Sequence, residues 1–96
     1  MTLARNSHVR MTPTAEAIAC QIRETLLLFG GEAHRRDVIA QLARDRGLDV
    51  RRIPPELERE VIDSFERACR AQALGLHPKF GEGSHRWAVR TRALAS

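Results

Sequence analysis

The chain has 96 residues, of which 43% are hydrophobic and 29% charged, with a formal net charge of +4. This length and balance predict one soluble globular domain, and no apolar run approaches the ~18–20 residues of a membrane span. With 4% aromatic residues, no tyrosine, and no G-x-S-x-G, P-loop or H-E-x-x-H, the composition points away from an enzyme, a cofactor or a small-molecule substrate.

Residues 1–11 lack periodicity and are expected to form a flexible arm, made basic by Arg5 and Arg10. The segment has no signal-peptide h-region, which predicts a cytoplasmic location. Thr12-Pro13 reads as a helix start, with threonine as N-cap and proline at the first helical position. Ile18, Ile22, Leu26 and Phe29 then recur at helical spacing, and Gly30-Gly31 stops the helix. In the link Glu32-Ala33-His34, Ala33 is expected to pair as a strand of one or two residues. A second helix is predicted over 35–46, with Val38, Ile39 and Leu42 inward, His34 at its N-cap or first turn, and Gly47 as its stop.

Residues 48–53 read as a loop docked by Leu48, Val50 and Ile53. Pro54-Pro55 opens a third helix predicted to run to about Leu74, with Leu57, Val61, Ile62, Phe65, Ala68 and Cys69 as its apolar set. Residues 76–90, LHPKFGEGSHRWAVR, read as a β-hairpin turning around Gly81-Glu82-Gly83-Ser84. Strand alternation puts Leu76, Pro78, Phe80, Trp87 and Val89 on an apolar face and His77, Lys79, Arg86 and Arg90 on the other. Pro78 cannot donate to a ladder and belongs on a free edge or at a bulge. Residues 91–96 read as a frayed tail. Cys20 and Cys69 lie far apart without C-x-x-C spacing and are read as buried thiols rather than a disulfide.

Three short amphipathic helices cannot close a core of this size alone, and Phe80, Trp87 and Val89 would supply the lid. The expected class is therefore mainly α with a small β-hairpin, a winged helix–turn–helix spanning 12–90. The stretch from Leu28 through Gly30-Gly31-Glu32-Ala33-His34-Arg35 to Ile39 resembles the "GG-x-hH-R-x-h-h" opening of HARE-type winged helices. The stretch from Lys79 and Phe80 through Gly81, Gly83, Trp87 and Ala88 to Val89 resembles their closing "F-x-x-x-G-x-G-x-W/Y-A-L" hairpin. The resemblance spans residues 14–90 and rests on a helix stop, a turn and a core aromatic. It implies this fold and engagement of DNA; such domains occur beside restriction endonuclease domains and in chromatin proteins.

The charge is unevenly spread: residues 1–13 carry +2, residues 76–96 carry +3, and residues 14–75 carry −1. Arginine outnumbers lysine fifteen to one, either because its planar fork suits phosphate and guanine or through coding bias. The outward face of the third helix, with Glu56, Arg59, Glu60, Asp63, Glu66, Arg67 and Arg70, is acidic on balance, and Asp63–Arg67 and Glu66–Arg70 are spaced for ion pairs. That face would be repelled by phosphates. The hairpin set His77, Lys79, Arg86 and Arg90 is the better candidate, because like charges held as cross-strand neighbours suggest an anionic partner. Arg35 and Arg36 at a helix N-terminus are expected to add phosphate contacts through its unpaired N–H groups, and Arg51 and Arg52 to add more from the loop.

His77 and His85 show no zinc spacing with other ligands, and Trp87 reads as core rather than a stacking platform. The expected function is binding of double-stranded DNA, mainly by phosphate contact and with weak sequence preference. The bound chain would then be nucleoid-associated. The alternative is a protein-interaction or homodimerisation module using the third helix or the hairpin edge. One continuous positive face joining Arg35, Arg36, Lys79, Arg86 and Arg90 would favour DNA.

Overall fold

The computed structural model describes residues 13–90; the expected arm, Thr12 cap and tail lie outside the described residues. The elements run α1 Pro13–Leu28, β1 Glu32–His34, α2 Arg35–Asp45, α3 Pro55–Arg70, β2 Leu76–Pro78 and β3 Arg86–Val89. The three strands form one antiparallel sheet in the order β1-β3-β2. Among the described residues no helix is long and apolar enough to cross a membrane.

The link between α1 and α2 is a strand of three residues, longer than expected, and its register sets Ala33 opposite Trp87. Its ladder continues at both ends: Val89 N–H donates to the Gly31 carbonyl at 3.0 Å, and Arg35 N–H to the His85 carbonyl at 2.7 Å. On the other side Pro78 pairs with Trp87. Lys79 N–H donates to the Arg86 carbonyl at 2.8 Å, so by alternation the Pro78 nitrogen faces the free edge of β2.

Residues three and four apart put one side of each helix inward. Ile18, Ile22 and Leu26 of α1, Val38, Ile39 and Leu42 of α2, and Leu57, Val61, Phe65 and Ala68 of α3 are buried together with Leu76, Trp87 and Val89 of the sheet. Trp87 is 2% exposed and lies flat on Phe65, ring centroids 3.9 Å apart and planes 7° from parallel. Its neighbours in the row across the sheet are Ala33 and Pro78, small enough to leave the indole room to reach α3. Aromatic pairing of this kind adds about 0.5–1.5 kcal/mol beyond the area buried.

Several expected core positions are not core. Phe80 is 75% exposed: β2 ends at Pro78, the Gly81 N–H turns back to the Pro78 carbonyl, and strand alternation stops before reaching Phe80. Phe29 follows the last turn of α1 and is half exposed, as are Leu48 and Val50, leaving Ile53 to dock the loop. Cys20 is exposed rather than buried and Cys69 is half-buried; both are free thiols. Desolvation, with a smaller push from Glu66, raises the Cys69 thiol to about 11, which keeps it protonated and unreactive at neutral pH.

All three helices end in the same closure. Gly31 N–H reaches the Leu26 carbonyl at 2.7 Å, Leu48 N–H that of Ala43 at 2.9 Å, and Ala73 N–H that of Ala68 at 2.9 Å. Glycine holds the left-handed position in the first two, but Gln72 holds it after α3 with φ 54°. Leu74 and Gly75 follow at φ 60° and 73°. These turns end α3 four residues before Leu74 and swing Ala73 and Leu76 onto the core. A Cβ on Gly75 would lie 3.2 Å from the Arg90 carbonyl oxygen, where β3 comes in to donate its Arg90 N–H to Gly75 at 2.9 Å.

Two substitutions in this turn have opposite expected effects. Gln72→Gly removes a left-handed side chain and should raise stability by up to about 1 kcal/mol. Gly75→Ala meets both a positive φ and the Arg90 backbone, and should lower stability by about 1–3 kcal/mol. Denaturant melts with a common slope check both; a neutral Gly75→Ala would remove the close approach to β3 as a constraint.

Candidate nucleic-acid interface

The face of the sheet turned away from the core carries two rows set by register. Glu32, Ala88 and His77 form one, and His34, Arg86 and Lys79 the other. Glu32 and Lys79 stand on opposite edge strands, yet Lys79 Nζ lies 2.5 Å from Glu32 Oε1. Arg86, on the central strand, reaches Glu32 Oε2 at 3.4 Å. The small side chain of Ala88 lets this bridge cross the sheet, and Ala88 is only 6% exposed despite facing outward. The bridging side chains of Lys79, Arg86 and Glu32 remain 41%, 42% and 35% exposed, so their pairing is of the weak, solvent-screened kind.

The hydrogen bond from Lys79 holds the Glu32 carboxyl below its ordinary value of 4.5 against desolvation, the next-largest effect; the charges of Lys79 and Arg86 add to the lowering. Glu32 thus relieves the repulsion between the two cations, and that repulsion no longer argues for an outside anion. The contribution of Glu32 was hidden in the sequence, because the residue falls in a link whose register is set by a strand more than fifty positions away. The available signal was the alternation Glu32-Ala33-His34 beside a small residue able to face Trp87.

His77 Nδ1 lies 3.1 Å from the Gly75 carbonyl oxygen. A carbonyl only accepts, so Nδ1 carries the proton and Nε2 is left for a ligand. Arg90 is exposed, and at about 3.3 Å per residue its Cα stands roughly 13 Å along the strand direction from Arg86 on the same face. Phe29, His77, Lys79, Arg86 and Ala88 enclose a shallow recess on this face.

Arg35 lies elsewhere. By alternation with Glu32 and His34 it turns to the inner side, where it lines a cleft of about 340 Å³ between α3 and the hairpin loop with Phe65, Arg70, Glu82 and Trp87. Arg36 is exposed on another side, in a recess with His34, Ile53 and Glu58. The five arginine and lysine side chains expected on one face are therefore divided. Nor are the first amides of α2 open to phosphate: Arg35 N–H is taken by His85, and Arg36 N–H by His34 Nδ1 at 3.0 Å, which makes His34 the N-cap.

Arg51 and Arg52 are exposed in a turn tied by Asp49, which accepts from both backbone N–H groups at 2.9 Å. Neither side chain is among the ion pairs of the described residues. His85 stands edge-on to His34, centroids 5.9 Å apart, rather than beside His77. Among the described residues no three His, Cys, Asp or Glu converge to hold a metal. On α3, Asp63 and Arg67 pair at 2.7 Å as expected, but Glu66 and Arg70 form no ion pair. Glu56, Arg59, Glu60 and Asp63 surround a shallow, mainly acidic depression.

The bridge has a pH signature. A carboxyl whose folded value is depressed contributes stability that is present above its unfolded value and lost as pH falls through the folded one. The stabilisation by Glu32 should therefore be complete above about pH 5 and fade below pH 4.5. Thermal melts of wild type and Glu32→Gln should differ slightly at pH 6 and converge as pH falls through the depressed Glu32 value, below 4.5. A constant difference across that range would show that the bridge is not formed in solution.

No family model, curated protein or solved structure matches the chain.

Proposed function

We propose that this chain is a winged helix–turn–helix module of the HARE type that binds double-stranded DNA through the outward face of its sheet. The element order, with β3 between β1 and β2 and α3 leading into the hairpin, is compatible with that layout. The observation that carries the reading is the charge of the outward face: among the described residues, Lys79, Arg86 and Arg90 against the carboxylate of Glu32, with His77 among them. Phosphate contacts from such a face position a protein without reading bases, so little sequence preference is expected. The acidic depression on α3 argues against insertion of that helix into the major groove. Arg36, Arg51 and Arg52 are reserve contacts on other sides, and Arg35 is a cleft residue. The reading assigns no catalytic residue, cofactor or membrane role.

A second reading has its own observation. Glu56, Glu60 and Asp63 crowd one exposed face of α3, a surface suited to a basic protein partner or a basic region of a second copy. Docking by the hairpin edge is disfavoured, because β2 has three residues and ends in Pro78.

The double variant Arg86→Ala plus Arg90→Ala discriminates. Each phosphate contact contributes about −0.9 to the slope of log affinity against log salt. The variant should therefore bind duplex DNA at least tenfold more weakly at low salt, with a slope shallower by roughly 1.8. Unchanged affinity would overturn the sheet-face reading. Loss of DNA binding on neutralising Glu56 and Glu60 instead would also contradict it.

A further inference from the structure

Resting on the DNA reading, we propose that the Glu32 carboxylate occupies a phosphate site. Lys79 Nζ and the Arg86 guanidinium form an oxyanion pocket that the chain's own carboxylate fills in the free protein and a DNA phosphodiester takes over on binding.

The two carboxylate oxygens are divided between the two cations, Oε1 to Lys79 at 2.5 Å and Oε2 to Arg86 at 3.4 Å. A phosphodiester presents the same feature, two non-bridging oxygens sharing one negative charge. The cations are far from saturated. An ammonium has three donors and a guanidinium five, and Arg86 spends one, at the long limit of a hydrogen bond, on Glu32. A guanidinium in that state gains by exchanging a single stretched contact for the paired, charge-assisted contacts a phosphate offers.

Geometry allows the exchange. Glu32 reaches the pocket from an edge strand across Ala88, and the ion pairs that withdrawing it breaks are with the part-exposed Lys79 and Arg86. The recess above Ala88, about 470 Å³, is open between Phe29 and His77. All three charged side chains are more than a third exposed, so the internal pair is weak and screened and its loss costs little. Release of counterions from DNA still rewards each phosphate neutralised. Glu32 therefore sets the cost of engaging DNA: it keeps two like charges aligned while subtracting one from the surface that meets the duplex.

The test is fluorescence anisotropy with a labelled duplex across a salt series, with thermal melts on each variant. Glu32→Gln keeps the shape and removes the charge; it should bind three- to tenfold more tightly at low salt, with a slope steeper by about 0.9. Glu32→Asp keeps the charge but falls a methylene short of Lys79, and should also bind more tightly than wild type. It reads the same site if the glutamine variant folds poorly. Glu82→Gln, in the hairpin loop on the cleft side of the sheet, changes net charge equally and should leave affinity near wild type.

Equal gains from Glu32→Gln and Glu82→Gln would reduce the effect to net charge and overturn the phosphate site. No gain from either Glu32 variant, while Arg86→Ala plus Arg90→Ala weakens binding, would remove the phosphate site and leave the DNA reading standing. No response from any of these variants would remove both.

Discussion

Among the described residues β3 is the one strand paired on both sides, and the stack of Trp87 on Phe65 fixes which way it faces. Rotating the strand by one residue would drive Trp87 into solvent and Arg86 and Ala88 into the core, because every side chain of a strand changes face together. Burying an indole and pairing it with a second aromatic therefore decides more than local packing. It places Arg86 and Arg90 outward, positions Ala33 and Pro78 as small neighbours, and through the ladder sets Glu32 and Lys79 on either side of Ala88. The surface charge pattern is a consequence of where one tryptophan goes.

That pattern differs in kind from a row of exposed cations. Lys79 and Arg86 share one carboxylate, and the bridge spans both edges of the sheet rather than following one strand. Such a strap holds two flexible side chains in a narrower range of positions, so part of the entropy cost of ordering them at a ligand is already met. On the proposed reading Glu32 would have two opposed effects on an anionic partner: preorganising the cations and competing for them. Because all three groups are solvated, the competition is mild.

The readable parts of the chain were those governed by near neighbours. Ile18, Ile22 and Leu26 repeat at helical spacing, Pro54-Pro55 and Gly47 punctuate, and Trp87 alternates with Arg86 and Ala88; each lands where its periodicity puts it. The failures share a cause. Phe80 continues an alternation on paper, but the ladder it would need stops at Pro78 and Lys79. The run Ala71-Gln72-Ala73-Leu74 has good helix formers, yet Gln72 and Leu74 take left-handed conformations so that Ala73 and Leu76 can reach the core. Packing outweighed propensity there. Glu32 was missed for the same reason, since its partners are defined only once β1 has a register on β3. The division of Arg35 from Lys79 follows from the same register.

The separation of charges also constrains how an elongated polyanion can approach. The acidic depression of α3 and the outward face of the sheet both point away from the core, which lies between them. On the proposed DNA reading, a duplex would be repelled where Glu56, Glu60 and Asp63 cluster and attracted where Lys79, Arg86 and Arg90 stand. The proposed encounter is then steered sheet-first. On that reading a helix-first approach would bring Glu56, Glu60 and Asp63 against phosphates, offset in part by Arg59 and by Arg67, which pairs with Asp63.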